Sequence, residues 1–531
     1  PLEKMPKFAE KKDVVHSRAT WNLGLGTGFK YDRYKNTPYM ECEYSHAMGN
    51  SLGNFADYWD IWKKHDIFAG GFIWDFADQT IKFNNNGVTE WRYGGDFGDM
   101  PNDGIFSCNG IFRGDREPQP SAYEVRKVYQ KIDFVAAQGR FLVKNLYNFT
   151  DLSKFKFTAE LIKNGETETV TEFAVVCAPL TEVEIDLPFD VVKKETEAEY
   201  SVVLSAFDGA GERVAYEQIP LKTNPTALNE SLLPTVESRD GEQPSRAAIE
   251  DTANEIVIET GIFTFVLDKT RGAIVSVAKD DKELLNEPLL PNFDRAIIDN
   301  DTLKQVDAKI AKLVMGIDYW NFIKLEAGLK PKKITATPAG SGAEIRIVWS
   351  APHLSSLETV YGFADNGVVS LKMEVTPKIN LVRYGFTFGL RSEDKAIKFY
   401  AKGGFENHCD RNTAAILRVY EGVAEDFIYD YSRPQENGNH TEARYLTVGK
   451  ENPVTIINTA SPFEFSVHPY TRKMLNKANH IHELGRLNHL VVNIDGKQRG
   501  VGGDIPASAD LKEPYKILKG NDYVFEVKLV F

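Results

Sequence analysis

Pro38-Tyr-Met-Glu-Cys-Glu-Tyr44 and Gly70-Gly-Phe-Ile-Trp-Asp-Phe76 frame the part of the chain that decides its fold. The first reads as a short strand. In the second, Gly70-Gly71 breaks the chain and Phe72–Phe76 forms another strand. Between them Leu52, Phe55, Tyr58, Trp59 and Trp62 recur at helical spacing. That predicts a helix capped at Asn50 or Ser51 and running to about Lys64. A polar, glycine-rich loop spans about Gln79 to Gln119, and Ser121-x-x-Glu124 then predicts a capping box for a helix to about Tyr129. Strand, helix, strand, helix is the order of a parallel α/β unit. Two such units close neither a barrel nor a doubly wound sheet, so residues 1–130 are expected to be the tail of a larger α/β domain.

From Ile132 the pattern turns to strands. Phe155–Ile162 alternates and meets Lys163-Asn164-Gly165, a hairpin turn; Tyr200–Ala206 ends at Asp208-Gly209. Residues 131–224 suit one immunoglobulin-like β-sandwich. Residues 225–253 are rich in Pro, Ser, Glu and Asn and read as a linker. Strand patterns such as Ile256–Glu259, Ala343–Trp349 and Val524–Val530 then fill residues 254–531, suggesting one large antiparallel β-sandwich with no internal repeat. The expected class is therefore multidomain and mainly β.

Of the 531 residues, 42% are hydrophobic, enough for several cores, and the net charge of −13 shows no basic stripe. Nucleic acid is not an expected partner. No apolar run approaches the ~18 residues of a membrane span. The four cysteines are scattered without a C-x-x-C pair, which suits a reducing, cytoplasmic setting. The chain begins at Pro1, which reads as a truncated or processed start. Gly24-Leu-Gly26-Thr-Gly28 has no strand before it and no Lys-Ser/Thr after it, so it is not a phosphate loop.

Chemistry concentrates at Glu41-Cys42-Glu43-Tyr44-Ser45-His46, where a strand gives way to a helix. In a parallel barrel, active sites lie at such strand ends. A carboxylate there can attack an anomeric carbon if a second carboxyl protonates the leaving oxygen. On spacing alone Glu43 reads more readily as a solvated or salt-bridged carboxylate than as a nucleophile, and Trp74 more readily as core than as a sugar platform. Glu41 and Glu43 share a side of an ideal strand, so an acid/base pair within one strand is a further option. The oxygen-rich loop with Asp96, Asp99, Asn102, Asp103 and Asn109 suits a hard cation or a plain Asx-rich surface loop.

Cys42-Glu-Tyr-Ser-His-Ala-Met-Gly-Asn-Ser51 closely resembles the nucleophile motif of bacterial β-galactosidases of glycoside hydrolase family 2. Gly70–Gln79, Tyr93–Asp103 and Asn109-Gly110 follow in family order. Asp294–Asp301, Glu406-Asn407 with Asp410-Arg411, Pro434–Gly438 and Gly500–Asp504 resemble later signatures. The resemblance implies the C-terminal part of a (β/α)8 (TIM) barrel, then the small and the large β-sandwich. It implies hydrolysis of terminal β-galactosides such as lactose with Glu43 as nucleophile, and Tyr44, Ser45, His46, Trp74 and Asn109 as substrate contacts. It also implies Na⁺ held by Phe106 and Asn109, and Asn102 near a Mg²⁺ whose main ligands lie outside this chain. The family's acid/base Glu belongs to earlier barrel strands, so the isolated chain is expected to be nearly inactive; the alternative is a non-catalytic module completing a separate chain. A homo-oligomer is expected of the full-length form. Val491 stands at the position matched to a family Trp over the leaving-group subsite. The run after Asp504, Ile-Pro-Ala-Ser, lacks the family's Ser-Trp. Glu41 replaces a usually apolar residue.

Overall fold

The structure, a computed structural model, describes residues 38–137, 139–189, 197–234, 247–301, 325–504 and 511–531. The Gly24–Gly28 stretch, the Ile505–Ser508 run and the middle of the expected linker lie outside these residues.

Strand β1 (Tyr39–Tyr44) pairs in parallel with β2 (Phe68–Ile73), and helix α1 (Phe55–Trp62) connects them. Phe55, Tyr58 and Trp62 are buried and surround the Tyr44 ring at centroid distances of 5.6, 5.3 and 4.8 Å. The helix begins later than the sequence predicts. Asn54 precedes it at φ 46° without a side-chain cap. Asn50 and Ser51 do not cap it: the Asn50 amide donates to the Glu436 carbonyl at 2.7 Å and accepts from Arg411 at 2.8 Å, and the buried Ser51 hydroxyl has no partner. Tertiary partners have displaced the local cap.

Gly70 and Gly71 do not break the chain; they lie inside β2. A Cβ at Gly71 would meet the Trp62 ring at 2.9 Å and Glu41 at 3.0 Å, so the missing side chain lets helix and strand approach. Trp74–Phe76 follow the strand rather than forming it. The expected loop after Gln79 contains a hairpin, β3 (Ile81–Asn85) with β4 (Val88–Arg92). Its two-residue turn, Asn86-Gly87, has φ 52° and 90°. Ile81 and Phe83 alternate with polar residues in β3, but all five residues are exposed, so the strand has no buried face. Helix α2 (Pro120–Val128) has Pro at its first turn and no capping box. Glu124 instead accepts the backbone N–H groups of Thr413 and Ala414 at 3.2 and 2.9 Å.

Strands β5 (Ile132–Ala137), β6 (Arg140–Asn145) and β9 (Glu182–Ile185) form one sheet. Strands β7 (Lys156–Lys163), β8 (Glu166–Phe173), β10 (Tyr200–Phe207) and β11 (Arg213–Lys222) form a second, in the order β11-β10-β7-β8. Ile132, Phe134, Val143, Phe157, Val202 and Leu204 share their core. The turn at Asn164-Gly165 takes φ 49° and 83°, as its sequence predicts.

Beyond residue 247, a ten-stranded and a nine-stranded sheet enclose the largest core, including Phe265, Tyr361, Met373, Phe386, Phe399 and Leu529. The expected strands appear as Glu255–Thr260, Gly342–Ser350 and Tyr523–Val530. Ala248–Asp251, read from sequence as linker, pairs with Glu255–Thr260 and belongs to the ten-stranded sheet. Among the described residues no helix is long and apolar enough to cross a membrane.

Candidate active site

A bulge at the end of β1 sets the position of Glu43. Glu41 pairs with Gly71 and Tyr44 with Ile73, so three steps on β1 oppose two on β2. The bulge cancels the alternation that would put Glu41 and Glu43 on one side. Glu41 accepts the Tyr39 hydroxyl at 2.5 Å and packs on Gly71, whereas Glu43 is exposed in a cleft of about 590 Å³ that Glu41 does not line.

Six of the expected residues meet in that cleft: Glu43, His46, Trp74, Asn102, Phe106 and Asn109. They come from the β1 end, the β2 end and the loop before α2. The strand-end backbones are stitched together: Ala47 N–H donates to the Trp74 carbonyl at 2.7 Å and Asp75 N–H to the Asn109 carbonyl at 2.6 Å. Trp74 keeps 41% of its surface exposed, so it is a wall and not core. His46 is buried, its ring 5.9 Å from that of Phe106. Burial lowers its pKa to about 4, an effect that Asp75 partly offsets, so the ring is neutral at pH 7.

Two expected contacts are not in the cleft. Tyr44 points into the aromatic cluster behind it, its hydroxyl 2.8 Å from that of Tyr129. Ser45 is fully buried at φ 52°. Val491 does not overlook the cleft either; it lies in the strand Leu490–Gln498 and lines a separate cavity of about 520 Å³ in the large sandwich. Tyr44 is buried directly after exposed Glu43, a change of side along the strand that the reading by motif did not apply to it.

The oxygen-rich loop splits by direction. Asp99, Asn102, Asp103 and Asn109 line the cleft, while Asp96 turns away to accept from Tyr93 N–H and to meet His480, both at 2.8 Å. Asn102 spends both ends of its amide in the loop: Oδ1 accepts Gly104 N–H at 3.0 Å and Nδ2 donates to the Asp99 carbonyl at 2.8 Å. It shapes the loop, with one of the two lone pairs of Oδ1 committed to Gly104. Asn109 differs. Its Nδ2 donates to the Phe106 carbonyl at 2.9 Å, and its buried Oδ1 has no partner.

The sequence reading missed Gln79, which lines the cleft and donates to Asp75 Oδ2 at 2.7 Å. It also missed what the sandwich signatures do. Gly503 accepts His46 N–H at 2.7 Å and Gly502 accepts Gly53 N–H at 2.8 Å. Asp504 accepts Asn54 Nδ2 and the Tyr58 hydroxyl at 3.0 and 2.7 Å. Arg411, wholly buried, donates to Asn50 and to the Ser51 carbonyl while paired with Glu406. The large sandwich thus grips the loop that follows Glu43.

Comparison with known proteins assigns this architecture. The family described as Beta galactosidase small chain matches residues 259–529, just over half of the chain. The chain belongs to the β-galactosidase family. Two further descriptions agree: Glycosyl hydrolases family 2, TIM barrel domain, over residues 10–134, and Beta-galactosidase, domain 4, over residues 141–222. A β-galactosidase of Priestia megaterium is 31% identical over 92% of this chain and 47% of its own length. One from Halalkalibacterium halodurans is 29% identical over 93% of this chain and 49% of its own. One from Leuconostoc mesenteroides is 28% identical over 98% and 51%. The chain therefore spans about half the length of the curated relatives it matches. Within the family frame, the Glu43 cleft lies at the C-terminal ends of the parallel strands, the face on which barrel enzymes carry their chemistry.

Proposed function

We propose that this chain carries the nucleophile side of a retaining β-galactosidase active site. The observation that supports it most is the convergence of Glu43, a neutral His46, an exposed Trp74 and Asn109 in one cleft. A Glu43 carboxylate oxygen attacks the anomeric carbon of a terminal β-D-galactoside such as lactose. The glycosidic C–O bond breaks, and a second carboxyl, contributed from outside the described residues, protonates the leaving oxygen. Water, deprotonated by that same group, then attacks the galactosyl ester and returns Glu43 to its carboxylate with net retention. His46, uncharged, offers a hydrogen bond to a sugar hydroxyl, and the Trp74 face takes the apolar side of the ring.

Sodium fits this cleft. The unpartnered Asn109 Oδ1 and the Phe106 carbonyl are hard oxygen donors, and with the Asn109 amide turned they would hold the ion together. When bound, the ion would supply a fixed positive charge for orienting a sugar hydroxyl. Asn102 stays the residue matched to a magnesium position, and no step is assigned to magnesium.

The test is covalent trapping. In a preparation active on nitrophenyl galactoside, a 2-deoxy-2-fluorogalactoside with a good leaving group should leave one 2-deoxy-2-fluorogalactosyl mass on the peptide containing Glu43. A label on another carboxylate would overturn the assignment. The chain alone should turn over at least ~10²-fold more slowly, the usual worth of a general acid.

A further inference from the structure

Outside the cleft, one side-chain cluster has the chemistry of a transition-metal site. His480, His482 and Glu483 place one ligand atom each within 4.8 Å of one another. They sit on a single turn, Ile481–Glu483 and the residue before it. Two imidazoles and a carboxylate form a mixed nitrogen and oxygen set of the kind preferred by Zn²⁺ and its neighbours in the first transition row. His480 Nδ1 lies 3.0 Å from Glu483 Oε1, so a metal entering there would replace that contact.

A second observation points the same way. The other nitrogen of His480, Nε2, is 2.8 Å from Asp96 Oδ2. A histidine that binds metal through one nitrogen almost always donates its other N–H to a carboxylate or carbonyl, which fixes the tautomer and orients the ring. Asp96 already holds that position. The Tyr93 ring stacks on His480 at 4.6 Å and its hydroxyl donates to the Asn479 carbonyl at 2.5 Å, so the turn is braced before any ion arrives.

We propose that His480, His482 and Glu483 bind Zn²⁺, with Asp96 as the positioning carboxylate behind His480. Water completes the tetrahedral set. The site lies on the large sandwich, while Asp96 belongs to the loop whose Asp99, Asn102 and Asp103 line the cleft. Zinc there would clamp that loop to the sandwich by holding His480 rigidly against Asp96. This inference does not rest on the galactosidase reading.

Calorimetric titration of the whole chain with ZnCl2, compared with H482A, tests it. His482 is exposed, so its removal leaves the fold intact, which circular dichroism checks. The wild type should bind one more equivalent of zinc at micromolar or tighter affinity than H482A, and D96N should weaken that equivalent ~10- to 100-fold. Zinc should also slow amide exchange in residues 93–103 of the wild type and not of H482A. Equal stoichiometry and affinity in wild type and H482A, or millimolar binding only, would overturn the site. Normal zinc uptake with no change in exchange would overturn the clamp.

Discussion

The backbone N–H of His46 donates to the carbonyl of Gly503 at 2.7 Å, joining the loop after the candidate nucleophile to the last signature loop of the large sandwich. This bond has company in the Gly53–Gly502 and Asn54–Asp504 pairs. A sandwich distant in sequence therefore helps to set where Glu43 points.

Arg411 is the strongest part of that grip. Its guanidinium is buried against Asn50, Ser51 and Glu406. Arg411→Ala leaves Glu406 buried without its cation and should cost ~3–5 kcal/mol in chemical unfolding. Arg411→Lys keeps the charge but not the fork, and should restore part of that stability. Two variants as stable as wild type would show that the grip is dispensable.

His46 links stability to acid. Burial holds its folded pKa at about 4, below the ordinary value of 6.5. Between these values the unfolded chain binds a proton that the folded chain does not, so stability rises with pH. The contribution is fully present above about pH 6.5 and is lost as pH falls through about 4. It amounts to on the order of 3 kcal/mol. Denaturant unfolding at pH 7.5 and 4.5 should show a smaller acid loss for His46→Gln than for wild type; equal losses would contradict the burial argument.

Trp74 stands at the surface and holds up no core. Trp74→Ala should change stability by less than ~1 kcal/mol. In an active preparation it should lower kcat/KM by roughly 10- to 100-fold through a lost sugar-stacking face. A large drop in melting temperature with unchanged kinetics would reverse the roles.

Asn109 carries the expected response to sodium. Replacing Na⁺ by a bulky organic cation should raise KM in the wild type, whereas Asn109→Ala should start high and respond little. A full sodium response in that variant would place the ion elsewhere.

Much of the site was legible because its motifs are long and contiguous. Glu43, His46, Trp74 and Asn109 all fall in runs quoted from the sequence, and all line one cleft. The errors have a common physical origin. Asn50, Ser51, Ser121 and Glu124 have the right local spacing for helix caps, yet no capping box or side-chain cap forms, and Asn50 and Glu124 bond to the distant sandwich. Tyr44 belongs to the motif but faces the core, because the bulge and strand alternation decide side-chain direction residue by residue.

The sequence by itself determined the family, the change from α/β to all-β near Ile132, and the segment holding the candidate nucleophile. Periodicity, turn chemistry and long motifs are local, and local order survives in one dimension. Only the tertiary structure decided that Glu41 lies outside the Glu43 cleft, that Asn109 keeps an unpartnered oxygen, and that Arg411, Gly503 and Asp504 serve the Glu43 loop. The first follows from a bulge set by pairing with β2, and the last from buried polar groups whose partners lie hundreds of residues away.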